Sequence, residues 1–295
     1  MQSNGNVSLK LSLLLFCFAW SFSCHAQQGS LSVMSFNIRY NNPDDGKYSW
    51  ENRKQIVYHV IRNNKPSVIG FQEALRSQVD DIQNNTRGYG WSGVGRDDGI
   101  DLGEFSVIFY DSARFEKKEG STFWLSSTPD KPGTRSWNAA CNRIVTWVRL
   151  TDRQSRISFF IFNTHFDHAS GYAREESAML LKNKVAEIAG DEMAFITGDF
   201  NDTVGSRCYN LLTGGPGNLR NSSTLSQIRP EGPDYTFAGF PFNPEKGNTI
   251  DFIFIKNEGN VKVNRHQVLL YNENGFYPSD HLPVMAEFEI PLNRK

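Results

Sequence analysis

The chain has 295 residues, long enough for one large single-core domain, with 31 basic and 32 acidic side chains and a formal charge of −1. That near-neutral balance argues against strong non-specific binding to a nucleic acid backbone, though it leaves room for a local basic patch. Beyond the N-terminal region no segment has the long uncharged apolar stretch of a membrane helix.

Lys10 is the only charge before an almost wholly apolar run at 11–20, and Cys24-His25-Ala26 follows as a small-x-small cleavage pattern. Residues 1–26 therefore read as a secretory signal peptide, too short in its apolar core to span a bilayer, and the protein as exported to a periplasmic or extracellular space. A second reading makes Cys24 a lipidated cysteine, although Ser21-Phe22-Ser23 is a poor approach sequence for it. Removing the leader takes one lysine and no acid, moving the formal charge from −1 to −2. It also removes Cys17 and Cys24. Cys141 and Cys208 remain, either paired, as export permits, or as two separate buried thiols.

Residues 27–295 show no internal repeat, low-complexity tract or interdomain linker, so one catalytic domain is expected. A strand is predicted at 31–37. A helix follows at 49–63, capped by Ser49, with Ile56, Val57, Val60 and Ile61 on one face. A buried strand at 67–72 and a short helix at about 75–84 come next. Strands are predicted at 104–110, 115–123, 144–150 and 157–163, with hairpin turns at 111–114 and 151–154. A helix at 173–189 would pack through Met179, Leu180, Val185 and Ile188, before a strand at 194–197. The span 201–248 reads as loop with a short helix near 207–212. Strands at 249–255, 261–269 and 284–290 complete the chain. Mixed strands with helices outside them imply an α/β sandwich of two sheets face to face.

Polar residues sit where these apolar runs stop or start. Val33-Met34-Ser35-Phe36 ends in Asn37, and Val68-Ile69-Gly70-Phe71-Gln72 ends in Glu73. The run at 159–164 ends in His165, and Ala194-Phe195-Ile196-Thr197-Gly198 ends in Asp199, with Asn201 two residues on. Asp251 opens one run, and Asp280-His281 opens another. Asn, Asp, Glu and His gathered at strand ends point to one hard-cation site assembled from the whole chain. A histidine beside a carboxylate suits proton transfer near neutral pH, and Asp251 could fix its tautomer. Oxygen ligands suit Mg²⁺ or Mn²⁺; no His or Cys cluster has zinc spacing.

In this order, Ser35-Phe36-Asn37, Gln72-Glu73, Asn163-Thr164-His165, Gly198-Asp199-Phe200-Asn201, Ile250-Asp251-Phe252 and Ser279-Asp280-His281 resemble the motifs of the endonuclease/exonuclease/phosphatase superfamily. That group includes deoxyribonuclease I, exonuclease III, inositol-polyphosphate 5-phosphatases and bacterial sphingomyelinases. The resemblance covers nearly all of 27–295 and implies a four-layer α/β/β/α sandwich. It makes Glu73 the principal metal ligand, Asn37 a phosphate-side and metal-shell residue, and Asp280 an aid to the metal shell. It implies that His165 bonds a phosphate oxygen or the leaving group. Asp199 and Asn201 would orient the attacking water and stabilise the transition state. Asp251 would steer His281, which would take or relay the proton during in-line attack on phosphorus.

The resemblance leaves the substrate open. The expected activity is an Mg²⁺-dependent phosphodiesterase on nucleic acid or nucleotides. Gln72-Glu73-Ala74 is closer to the exonuclease/deadenylase-like branch than to deoxyribonuclease I. The alternatives are a phospholipid-headgroup (sphingomyelinase-like) or inositol-phosphate hydrolase, and a non-catalytic phosphate-binding module. The last is disfavoured because no catalytic position carries an inert residue. Specificity is expected from 96–102, 124–143 and 201–248. In the second, Trp137, Asn138 and Arg143 could stack a base or sugar and hold a phosphate, unless the tryptophans only pack under the loop. Asp167 and His168, just after His165, could touch substrate, but read better as a solvated turn. No protein partner is inferred, and the expected state is a monomer.

Overall fold

The computed structural model describes residues 30–256, 259 and 261–290; the expected leader, with Cys17 and Cys24, lies outside them. In chain order the elements are β1 (Ser30–Asn37), α1 (Trp50–Asn64), β2 (Val68–Ala74), α2 (Arg76–Asn85), β3 (Tyr89–Ser92), β4 (Phe105–Asp111), β5 (Phe115–Trp124) and β6 (Ile144–Asp152). They continue with β7 (Ser158–His165), α3 (Gly171–Ala189), β8 (Ala194–Asp199), α4 (Arg207–Thr213), β9 (Arg220–Asn221), α5 (Ser222–Leu225), β10 (Asp251–Lys256), β11 (Lys262–Val268) and β12 (Val284–Glu289). One sheet has the order β11-β12-β1-β2-β4-β3, the other β5-β6-β7-β8-β10-β9. Each contains one parallel pair, β1–β2 and β7–β8, joined through a helix as parallel neighbours require.

Period-two alternation sorts the buried residues of the central strands between an inner and an outer core. Leu31 and Val33 of β1, Phe159 and Ile161 of β7, Phe195 of β8, and Ile253 and Ile255 of β10 face the space between the sheets. Met34 and Phe36 point the other way, under Trp50, Val57 and Ile61 of α1 and Val79 of α2. Phe160, Phe162, Ile196 and Phe254 point outward under α3 and α4. Both sheets are thus apolar on both faces, and helices cover the outer ones. This is the four-layer α/β/β/α sandwich, and each fully buried Leu, Ile or Phe adds roughly 1.5–3 kcal/mol to it.

The inner layer changes character toward one end. Gln72 Nε2 donates to Asn163 Oδ1 at 2.6 Å, Thr197 Oγ1 donates to the same oxygen at 3.0 Å, and Asn163 Nδ2 donates to the carbonyls of Phe71 and Val107. All three side chains are fully buried. Gly70 leaves room for them, since a methyl there would meet Thr197 and Asn163. This polar network, in which Gln72 Oε1 alone of these side-chain atoms has no partner, lies between the sheets on the same inner face as the strand-end residues described below.

Several expectations change. The turn at 111–114 is not a hairpin, because β4 and β5 lie in different sheets; it carries the chain across the sandwich. The turn at 151–154 does join antiparallel β6 and β7. Ser49 holds the cap position of α1, but its side chain accepts no capping hydrogen bond. Met179 is exposed; α3 packs through Val185, Leu180 and Ile188 as expected, with Ala178 and Leu181 beside them. Cys141 and Cys208 are both free, and Cys141 is only half-buried.

Candidate active site

Asn163, Thr197 and Asp251 have the same parity as the inter-sheet core residues, and so do Asn37, His165 and Asp199. The strands therefore deliver Asn37, His165, Asp199 and Asp251 inward at one end of the sandwich. Asp251 lies directly opposite Asp199 in the antiparallel β8–β10 pair, and His165 sits beside Asp199 in the parallel β7–β8 pair. Glu73 breaks the parity. Its neighbours Phe71 and Gln72 alternate normally, which would turn Glu73 outward under the helices. A register shift between Phe71 and Ala74, with Glu73 in the left-handed region at φ 63°, swings it to the inner end instead. Asn201, at φ 49°, makes a similar turn after β8. Such backbone costs of order 1–3 kcal/mol per residue and gathers at functional sites.

The hydrogen bonds tie these residues into one array. Asn37 Nδ2 donates to Glu73 Oε1 at 3.0 Å and to Asp199 Oδ2 at 2.9 Å, while the Tyr40 amide donates to Glu73 Oε2 at 3.2 Å. Asn201 donates its backbone N–H to Asp199 Oδ1 at 2.9 Å, and its side-chain amide lies 3.0 Å from His165 Nε2. His281 Nδ1 meets Asp251 Oδ2 at 2.9 Å, and its Nε2 lies 3.7 Å from Asp199 Oδ2. His165 Nε2 approaches the same oxygen to 3.4 Å. Asp280 takes a hydrogen bond from Ser279 Oγ at 3.1 Å. Ligand atoms of Glu73, His165 and Asp199 lie within 4.8 Å of one another, as do those of Asp199, Asp251 and His281.

Burial and the neighbouring charge of Asp251 push the Asp199 carboxyl up to about 7. Burial alone would depress His281, but the carboxylates of Asp251 and Asp199 and the bond to Asp251 raise it to about 10. His165 goes the other way. Burial holds it well below an ordinary imidazole, helped by the positive charges of Arg143 and Arg96. Burial also raises Asp280 and Glu104, with the Glu73 carboxylate adding to both shifts.

Glu73, His165, Asp199, Asn201, Asp280 and His281 open on a cavity of about 470 Å³, which Arg39, Arg96, Glu104, Arg143 and His168 also line; Asn37 and Asp251 reach it only through their bonds to these groups. Every strand-end residue named from the sequence is in this array. The loop residues fare differently. Arg143 lines the cavity, whereas Trp137 and Asn138 do not. Trp137 packs against the outer core under α3, and Asn138 is exposed. Asp167 is no solvated turn: it is buried and accepts backbone N–H groups from Ala140, Cys141, Ala169 and Ser170. Arg39 and Glu104 went unnamed from the sequence. Each flanks a strand end, just after β1 and just before β4, and that position was the available signal.

The pattern of the Endonuclease/Exonuclease/phosphatase family matches residues 34–281. Among solved structures, an endonuclease/exonuclease/phosphatase from Bacteroides vulgatus is 36% identical, covering 89% of this chain and 99% of that one, with a TM-score of 0.85. A mannosyl-6-phosphatase from Bacteroides thetaiotaomicron is 31% identical over 88% of this chain and 99% of that one, with a TM-score of 0.78. The human Nocturnin catalytic domain, at 20% identity over 89% of this chain and 95% of that one, shares the fold with a TM-score of 0.72. The chain belongs to the endonuclease/exonuclease/phosphatase family.

Proposed function

We propose that this cavity hydrolyses a phosphoric ester by in-line attack of water, with a divalent cation held at Glu73 and a phosphorylated monosaccharide as substrate. The observation that carries the reading is Asp199, a buried carboxylate placed between two imidazoles, an asparagine amide and the Glu73 cluster. The donor set fits Mg²⁺ or Mn²⁺: Glu73 brings a hard carboxylate, and Asn37 and the Tyr40 amide hold it in place by hydrogen bonds. When bound, the cation neutralises charge on the phosphate and on the departing oxygen.

The protein groups divide the remaining work. Asp199, poised near neutrality, accepts the proton of the attacking water. The Asn201 side chain, anchored by His165 and by the Phe166 carbonyl, orients that water and the phosphoryl oxygens. His281 stays protonated through Asp251 and supplies positive charge to the transition state, which moves it from the proton-relay role expected of it. His165, neutral, donates or accepts a hydrogen bond without adding charge.

Two observations support the substrate class. The cavity volume suits one sugar-sized ligand. A structural neighbour at 31% identity is a mannosyl-6-phosphatase. Nucleotide and nucleic acid ends, the expectation from the sequence, are the competing substrates. The test is an assay of the protein with Mg²⁺ or Mn²⁺ on mannose 6-phosphate, bis-p-nitrophenyl phosphate, single-stranded DNA and RNA, sphingomyelin and inositol phosphates, beside His281→Ala and an EDTA control. We expect turnover of the sugar phosphate, lost with EDTA and strongly reduced in the variant. Turnover of none, or equal rates in variant and wild type, would overturn the enzyme reading; preference for the polynucleotides would overturn the substrate.

A further inference from the structure

Arg143 is the first residue before β6, and its own carbonyl accepts the Leu125 amide, so the backbone that carries it is fixed. Its side chain is 4% exposed, which makes it among the most buried charges in the chain. One guanidinium nitrogen, Nη2, meets His168 Nδ1 at 2.9 Å. The other two, Nε and Nη1, are buried and have no hydrogen-bond partner. Asp167 stands 3.7 Å from Nε, an ion-pair distance, but its oxygens already hold the four backbone amides that fold the 140–170 junction. Arg96 faces the same cavity in a similar state. It pairs with Glu104 through Nη1 at 2.5 Å, and its Nε is buried with no hydrogen-bond partner, Asp97 Oδ1 standing 4.0 Å away. Both arginines line one cavity, and between them three buried guanidinium nitrogens have protons with no acceptor.

Leaving such donors buried and unmade costs about 1–3 kcal/mol each, more when the group is charged. A guanidinium cannot lose its charge, is weakly hydrated, and matches carboxylate and phosphate oxygens. Neither arginine is used by the chemistry at Asp199, which is served by Asn37, His165, His281 and Asn201. We propose that Arg143 and Arg96, with His168 holding the Arg143 fork, form an anion subsite that binds a second negatively charged group of the substrate, beside the phosphate being cleaved. The subsite deepens the phosphatase reading and rests on it for its place in catalysis. It narrows the substrate class to sugar phosphates bearing a further phosphate or a carboxylate. The walls of the cavity then have separate tasks: the Glu73–Asp199 side works on phosphorus, and the arginine side reads what else the molecule carries.

Two measurements test this, one of them independent of turnover. In EDTA, calorimetric titration with inorganic sulfate should show binding to wild type and to His281→Ala, and about tenfold or greater weakening in Arg143→Gln. Arg143→Lys, which keeps the charge without the fork, should fall between them, and a cooperative melt of each variant checks that it folds. With Mg²⁺, wild type should prefer glucose 1,6-bisphosphate or 6-phosphogluconate to mannose 6-phosphate, and comparing the first two separates phosphate from carboxylate. Arg143→Gln should erase that preference by raising KM, with kcat changed far less. Sulfate binding that depends on His281 rather than Arg143 would overturn the subsite, as would equal loss on mono-anionic and bis-anionic substrates. Arg143-dependent sulfate binding in a protein that hydrolyses none of these sugars would uphold the subsite and sink the phosphatase reading alone.

Discussion

His281 and His165 stand on either side of Asp199, both buried, 3.7 and 3.4 Å from the same carboxylate oxygen, and they are driven to opposite protonation states. Burial lowers both, so it cannot be the difference. What separates them is the next residue out. His281 leans on Asp251 through a 2.9 Å hydrogen bond and is held as the cation. His165 has arginines behind it and a glutamate that reaches only to 3.8 Å of its Nδ1, which makes no hydrogen bond. One side of the site therefore offers fixed positive charge and the other a neutral imidazole. Identical side chains acquire different chemistry from the charged residues packed behind them.

The largest effect should come from removing what the two sides share. Asp199→Asn takes away the proposed base and the carboxylate common to both imidazoles, and kcat should fall by roughly 10³-fold or more. Retention of wild-type kcat would break the comparison at its centre. Next in size is the His281 side alone. Asp251→Asn should cost about 10²- to 10⁴-fold in kcat, as loss of an orienting carboxylate does elsewhere. It should also lower the His281 pKa in an NMR titration, because the charge that raises it is gone. A small kcat loss with an unmoved imidazole would show that Asp251 only packs. The His165 side should be weaker still. Glu104→Gln removes a carboxylate that sits near His165 without bonding it, so kcat/KM should drop only about tenfold. A loss matching that of Asp251→Asn would mean the two sides are equivalent after all.

The side of the site that is legible in the sequence is the one built on regular strands. Asn37, His165, Asp199 and Asp251 extend the same alternation that buries Val33, Ile161, Phe195 and Ile253, so strand placement and inward direction could be read together. Glu73 was found at its strand end, but the left-handed turn that aims it inward leaves no trace in the apolar pattern. The arginine wall was hardest. Arg143 and Trp137 belong to one loop, and nothing in its composition says that one side chain enters the cavity while the other packs outside under α3. The turn at 111–114 failed for a related reason, since a short polar link between two strands reads the same whether it pairs them or carries the chain to another sheet.

A third buried histidine isolates what burial does without charged help. His266 on β11 is 7% exposed, and its Nδ1 partner is the Ser222 hydroxyl, a neutral group. Burial lowers its pKa to about 4. The ordinary imidazole of the unfolded chain titrates near 6.5, so between these values the unfolded state binds a proton that the folded state refuses. Stability is therefore fully present above pH 6.5 and declines as pH falls toward 4. The loss from this residue is roughly 2–3 kcal/mol by pH 4.5. His266→Gln cannot take up that proton in either state. Urea midpoints measured at pH 7 and pH 4.5 should fall less between the two conditions in the variant than in wild type, with activity at pH 7 nearly unchanged. Equal falls would show that His266 is charged in the fold or reached by solvent. Burial would then no longer explain the low pKa of His165, and the weight of the comparison would shift onto the arginines behind it.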